Sequence, residues 1–485
     1  MRSFRTFLLF HCFAISGCAL FDGTRHPATE IDANIVTILG PNPLADRAQP
    51  STIKRTLKDT FRQHSVFFIT PKCPSRDYPF EVRTEGDDAQ LLKGKPADVY
   101  CLDTDITRNS NNEAIAAIEA LGDIPGVANA AVAFFSINDT RERWFGEVVC
   151  KLQFKRSFEL KLIIDRGKST NTTDHIEICL RRKSQLDGSG LVQQVQFGHR
   201  DGFGAFHLKL IQLSSEDEEY LVFGSGNTYK GIRTHFDVWH FAKVDAGSEF
   251  SIRHRCVIDA IADGAKRAQV YDSFFGCLSR HNLLPPMHVR DGLVLFLPFQ
   301  SRLALKHFAE LTSGANQIDV AISKFGYRPI RDLLLAALKN GTKVRLIVDD
   351  DAFWIVREQD NLRCEDCFIT RREVEDWLAP LESAGASVKY MQTAHHCAGN
   401  FFHHKFVVFY GRDGANFVWT GAANFTHPAF HSNIESVYLF EDSNVVSAYE
   451  GAFSDMWIRL ATSPSDMPAE FDPIPTEIAT GCPSS

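Results

Sequence analysis

The sequence has no excess of basic charge. Lysine and arginine number 52 against 60 aspartates and glutamates, a formal charge of −8. A broad, sequence-independent grip on nucleic-acid phosphates favours a basic surface, so that class is disfavoured. A small basic site inside an acidic protein remains compatible with the balance. Beyond the first 18 residues, no stretch reaches the roughly 18 apolar residues that a membrane-crossing helix needs. Disordered, collagen-like and coiled-coil compositions are also absent: hydrophobic residues make up 44% and charged residues 23% of 485, which is the balance of a globular chain. That length suggests about three domains, or two plus an extension, at roughly 150 residues each. Phenylalanine is plentiful, at 39 residues, and points to a Phe-rich core.

Residues Met1 to Cys18 read MRSFRTFLLFHCFAISGC. Arg2 and Arg5 form a basic start, Phe7 to Ile15 a short apolar run, and Ser16-Gly17 a small-residue site. This is the layout of an export signal. The Ile-Ser-Gly-Cys ending resembles a bacterial lipobox, which implies a lipid on Cys18. The expected address is the bacterial cell envelope, exported to the periplasmic side and lipid-anchored in the membrane. Of twelve cysteines, ten remain when Cys12 and Cys18 are set aside. Disulfides fit an exported chain, though sequence does not give their pairing. Cys364, Cys367 and Cys397, with His395 and His396, offer a zinc site as the alternative. Export favours the disulfide reading, and no metal is assigned.

The chain repeats itself. Ala128 to Asn138 reads as a buried strand, Arg143 to Phe158 as an amphipathic helical stretch, and Glu159 to Asp165 as a second strand. Asn316 to Ser323, Arg328 to Lys339 and Lys343 to Asp349 repeat the order, with Asn340-Gly341 as the helix stop. Each is a strand–helix–strand unit ending in Asp. A second block follows each unit. The first runs Phe206-His207-Leu208-Lys209, then Gly224-Ser225-Gly226-Asn227, then Asp237. The second runs His403-His404-Lys405, then Gly421-Ala422-Ala423-Asn424, then Glu435. The expectation is two duplicated α/β lobes, each a mixed central sheet flanked by helices, packed with pseudo-two-fold symmetry. The expected division is a signal at 1–17, an extension at 18–109, a first lobe at 110–290, a second lobe at 291–461 and a tail at 462–485. Residues 19–109 match neither half, and the tail reads as an extended surface segment.

Residues at i and i+2 of a strand share a face, so the His and Lys of each His-x-Lys project together. The Asn sits after a glycine, where backbones come close. Two such lobes face to face would collect two His, two Lys and two Asn in one cleft. Ammonium and amide donors suit non-bridging phosphate oxygens. One His can attack phosphorus while the other protonates the leaving oxygen. His404 is expected on the opposite face, packing. Asp349-Asp350-Asp351 reads as a strand-end loop rather than a metal triplet. Trp239, Phe241, Phe353 and Trp354 read as core rather than a substrate wall.

This layout resembles the phospholipase D superfamily, whose signature is His-x-Lys-x4-Asp followed by Gly-Ser-x-Asn, once per lobe. The resemblance covers about 350 residues, and His403 to Thr426 is its most specific stretch. It implies a phosphohistidine intermediate with His207 as nucleophile and His403 as general acid. It implies Lys209, Lys405, Asn227 and Asn424 on the phosphoryl oxygens. Asp237 and Glu435 would each hold the far ring nitrogen of their own lobe's His. The signature Asp is missing: Ser214 and Tyr410 stand in its place. The implied activity is metal-independent hydrolysis or transfer of a phospholipid's phosphatidyl group, without cofactor, by a monomer holding both half-sites. An exported nucleic-acid phosphodiesterase of the same superfamily is the alternative, and a non-catalytic envelope scaffold is a third reading.

Overall fold

The computed structural model describes residues 33–37, 56–61, 64–71, 113–137, 144–166, 176, 178–179, 190–198, 201–216, 218–228, 235–264, 266–284, 292–357, 370–391, 393 and 401–467. The signal, Cys18, Cys364, Cys367, Cys397, His395, His396 and residues beyond 467 lie outside these.

Two sheets carry the molecule. The first contains β1 (Ala33–Thr37), β2 (Ser65–Pro71), β3 (Val127–Phe134), β4 (Phe154–Asp165), β5 (Gly190–Phe197), β6 (Lys209–Ser214), β7 (Glu218–Gly224) and β8 (His235–Asp245). Its order is β1-β2-β8-β7-β6-β3-β4-β5. The second contains β9 (Leu293–Leu297), β10 (Ala315–Ile322), β12 (Lys343–Asp349), β13 (Ser387–Met391), β15 (Lys405–Gly411), β16 (Asn416–Gly421) and β18 (Glu435–Phe440), ordered β13-β12-β10-β15-β16-β18-β9, while the short strands β11 (Phe325–Gly326) and β17 (Phe425–Thr426) pair with each other and β14 (Phe401–Phe402) joins the first sheet. Read from β2 and from β9, the two orders superpose strand for strand. β3–β4–β5 and β10–β12–β13 are parallel; the remaining neighbours in both sheets, from β3 and β10 onward, run antiparallel. The duplicated α/β lobes are therefore explicit in the topology.

The repeated strand–helix–strand units form for visible reasons. Helix Arg328–Lys339 buries Ile330, Leu334 and Ala337 on one stripe, the spacing of an amphipathic helix. Asn340 closes it and Gly341 takes φ +80°, which favours glycine. Side chains alternate across each sheet. Ala131 and Ala133 of β3 and Phe406 and Val408 of β15 enter one apolar core shared by both lobes. Val132 and Phe134 face the outer core of the first lobe, and Val407 and Phe409 that of the second. Trp239 and Phe241 lie in the first lobe's outer core, and Phe353 and Trp354 in the second's. No helix among the described residues is long and apolar enough to cross a membrane.

Three local expectations are corrected. The helix expected to run to Phe158 is Trp144–Lys151 only, and Phe154–Phe158 opens β4. Register with β3 and β5 claims those residues, so strand pairing overrides helical spacing. Ser65–Pro71, in the segment that matched neither half, is the first lobe's counterpart of β9: both flank the last strand of their lobe antiparallel. Thr462, placed in a surface tail, is fully buried and bridges Tyr390. Disulfides join Cys150 to Cys179, and Cys256 to Cys277 across helices Glu249–Asp263 and Arg267–Arg280.

Candidate active site

Both histidines sit just before a strand whose first residue is the lysine, Lys209 of β6 and Lys405 of β15. Each approach segment is clamped by the Asp that ends the repeated unit. Asp165 Oδ2 accepts the N–H of Phe206 at 2.7 Å, and Asp349 Oδ2 that of Phe402 at 2.8 Å. The terminal Asp of each unit therefore fixes the chain one residue before each histidine. Asp349 also accepts the Thr393 hydroxyl and the Asp351 N–H, and Asp350 accepts Thr393 N–H and Trp354 Nε1. The Asp349 and Asp350 carboxylates thus tie neighbouring segments to the strand end; together with Asp351 they lie within 4.8 Å of one another and could also take a metal ion.

The two lobes meet at the histidines, and here an expectation is overturned. His207 Nδ1 lies 2.6 Å from Glu435 Oε2, and His403 Nδ1 lies 2.7 Å from Asp237 Oδ1. Each acid holds the other lobe's histidine, not its own. The backbone explains the exchange. A short strand β14 (Phe401–Phe402) adds in parallel to the start of β8, and Phe206 bridges Ile434. His403 N–H donates to Phe236 O at 3.1 Å, and His207 N–H to Ile434 O at 2.9 Å. Each histidine therefore lies beside the residue that precedes the other lobe's acid.

The charges of both lysines are felt at both histidines. Lys209 Nζ donates to His207 O at 2.7 Å, and Lys405 Nζ to His403 O at 2.6 Å. The side-chain oxygens of Asn227 and Asn424 are buried without a hydrogen-bond partner among the described residues. Gly224 and Gly421 let neighbouring chains touch: a Cβ at either would collide with the carbonyl of Val238 or Ser436. His404 is buried among Phe68, Phe236, Phe402 and Phe406, the packing role expected of it.

Four residues outside the expected catalytic set also bear on the site. Ser225 donates its hydroxyl to Asp237 Oδ1 at 2.7 Å. Asn433 donates to Glu435 Oε1 at 3.1 Å and accepts Ala205 N–H at 2.9 Å. His235 lies 5.7 Å, ring to ring, from His403. Lys324 follows β10, and its charge is felt at His207, His403 and Lys405. Its only sequence signal is its place directly after the strand Asn316–Ser323.

Burial dominates the electrostatics. It lowers both His207 and His403 well below the ordinary imidazole range, with the neighbouring lysines adding to the effect. Burial brings Lys209 down to about 7, and lowers Lys405 well below its ordinary value. Glu435 is pushed up to about 8, burial outweighing Lys209, Asn433 and Lys405. Cations held below their usual range in a closed site favour an entering anion, which restores their charge. The arrangement can therefore hold a phosphoryl group between two lysines and two asparagines, with a histidine on either side. His235, Asp237 and His403 place ligand atoms within 4.8 Å of one another and could also take a metal ion. In this structure Asp237 Oδ1 serves His403 and Ser225.

Comparison with known proteins bears on the second lobe most directly. Residues 308–457 match the family model described as "Cardiolipin synthase, PLD-like domain", so a PLD-like domain occupies this part of the chain. Two relatives named mitochondrial cardiolipin hydrolase are similar to part of it. The one from Xenopus laevis is 26% identical over 161 residues, 33% of this chain and 64% of that protein. The one from Xenopus tropicalis is 25% identical over 147 residues, 30% of this chain and 57% of that protein. The chain thus spans somewhat less than two thirds of the relatives' length. Among solved structures, phosphatidylserine synthase of Haemophilus influenzae has a TM-score of 0.48 at 15% identity, covering 76% of this chain and 89% of that one.

Proposed function

We propose that the protein is a metal-independent phosphodiesterase of phospholipase D type, cleaving or transferring the phosphatidyl group of phospholipids through a phosphohistidine. The crossed histidine–acid pairs carry this reading, because they bring two His-x-Lys/Asn half-sites into one cleft. The family model and the cardiolipin hydrolase relatives support phospholipid as the substrate class.

His207 is assigned the attack. With Nδ1–H donated to Glu435, its Nε2 lone pair attacks phosphorus; the N–P bond forms and the P–O bond to the leaving group breaks. His403 gives its Nε2 proton to the departing oxygen. Lys209, Lys405, Asn227 and Asn424 hold the non-bridging oxygens, donors fixed before charge develops. Water or an alcohol then returns a proton to His403 and displaces His207 from phosphorus. Burial disfavours the charged form of both histidines. An anionic phosphodiester between the lysines favours the protonated form of His403, so substrate helps to arm its own acid.

The test offers phosphatidylcholine, phosphatidylglycerol and single-stranded DNA to the purified chain in EDTA, with His207→Ala as the blank. Head-group release that vanishes in the variant is expected. Cleavage of DNA alone would move the substrate to nucleic acid, and inactivity on all three would contradict the enzyme assignment. We also propose that Cys18 carries a lipid that holds the exported chain in a bacterial envelope membrane. Cys18→Ser should release the protein into the soluble fraction, and retention on membranes would refute the anchor.

A further inference from the structure

The duplication leaves a space in one lobe that the other lobe fills. Strand register makes Ala131 of β3 the counterpart of Asp319 of β10: Ala131 pairs with Lys161 of β4, and Asp319 with Arg345 of β12. On the other flank Gln212 of β6 answers Val408 of β15, and Ser214 answers Tyr410. In the second lobe the position is full. Asp319 is fully buried, Arg345 Nε donates to it at 2.7 Å, and Gln317 and Tyr410 bond it as well. The rings of Phe453 and Trp457 lie 5.0 and 5.2 Å from the Arg345 guanidinium.

In the first lobe neither that carboxylate nor that phenol is present. Lys161 turns instead to Asp259 at 2.6 Å and Glu159 at 3.2 Å. A cavity of about 210 Å³ stands between these strands and helix Glu249–Asp263, with Ala131, Ser214 and Gln212 in its wall. Gln212 is buried, and its amide N–H donates to Glu219, which also accepts the Ser251 hydroxyl at 2.6 Å. The Gln212 side-chain oxygen has no partner among the described residues. A buried acceptor left unmatched is costly, so this wall favours a ligand that brings a donor.

The volume is below the roughly 300–1,000 Å³ of drug-sized sites, which restricts the occupant to a small molecule. The charges in the wall cancel, Lys161 and Arg255 against Glu159 and Asp259, so neither a net anion nor a net cation is favoured. Hydroxyl groups suit such a wall, because each donates to the Gln212 oxygen or a carboxylate and accepts from Lys161 or Ser214. Lys209 and Ser214 are the opposite ends of β6, about 16 Å apart at roughly 3.3 Å per residue. The space is therefore separate from the histidine cleft.

We infer that the first lobe carries a second binding site, for a small neutral polyol, at the place the second lobe fills with Asp319 and Tyr410. The inference does not depend on the phospholipase reading.

The test titrates the purified chain by calorimetry with glycerol, myo-inositol, glycine betaine, choline and acetate. A polyol should bind saturably at one site with a Kd of about 1 mM. Gln212→Met, which removes the unmatched oxygen, should weaken it about tenfold. Ala131→Asp combined with Ser214→Tyr restores the second lobe's filling and should abolish binding, while the ¹⁵N resonances of His207 and His403 stay in place. Should the double variant fail to fold, Ser214→Tyr alone makes the same comparison. Wild type that binds neither polyol, or binding undiminished in the filled variant, would overturn the site. A preference for betaine, choline or acetate would overturn the polyol assignment.

Discussion

The two half-sites use the same plan with different parts. In one, Asp237 holds His403 and is itself held by the Ser225 hydroxyl. In the other, Glu435 holds His207 and is held by the Asn433 amide. The residue corresponding to Ser225 is Ala422, so the second lobe has lost a hydroxyl. The longer Glu side chain and an amide two residues upstream replace it. The lesson is that the geometry at the histidine is maintained while its supports are interchangeable. A duplicated fold therefore yields two similar arms whose acids differ in length and in the groups that hold them.

The comparison breaks most sharply at the histidines. His207→Ala should lower head-group release by roughly 10⁴-fold or more, since it removes the imidazole that Glu435 holds for attack. His403→Ala should cost about 10²- to 10⁴-fold with a natural alcohol leaving group and far less with p-nitrophenol. Equal losses of both variants on both leaving groups would contradict the division of labour. Next in size, the acids should separate by pH. The His207–Glu435 pair must lose a proton before His207 can attack, whereas His403 must keep one. With burial holding His403 below 6.5 and pushing Glu435 up to about 8, kcat/KM should be level between these values and fall above about pH 8. Below the His403 value it should fall again. The limbs belong to coupled pairs, and Glu435→Gln should displace the alkaline one. A profile unmoved by that change would remove Glu435 from the account. The smallest effect is expected at the supports. Ser225→Ala, which makes the first lobe like the second, should cost about 10-fold or less in kcat/KM, because Asp237 keeps its bond to His403. Ala422→Ser should change little, since Asn433 already serves Glu435.

Much of this was legible in the sequence, through repetition. The repeated strand–helix–strand units, the two His-x-Lys segments, the two asparagines and the two acids all follow from matched spacing within each half. Ser65–Pro71 did not show itself, because it carries none of the site's chemistry that could be matched against Leu293–Leu297. Nor did the exchange of acids: spacing along one lobe measures distance along the chain, whereas Asp237 reaches His403 through a parallel pairing between residues 166 apart, His235 to Phe401 with Phe236 to Phe402 one register step on. Lys324 escaped for the opposite reason. It has no counterpart in the first lobe, and reading by repetition finds only what is repeated.

The central claim is that each lobe's acid serves the other lobe's histidine. Histidine-selective ¹⁵N NMR on Asp237→Asn and Glu435→Gln reads it without depending on activity. Asp237→Asn should move the Nδ1 resonance of His403 and leave that of His207 in place, with Glu435→Gln doing the reverse. If Asp237→Asn instead moved His207 and spared His403, the lobes would be self-contained and the crossed site would be wrong.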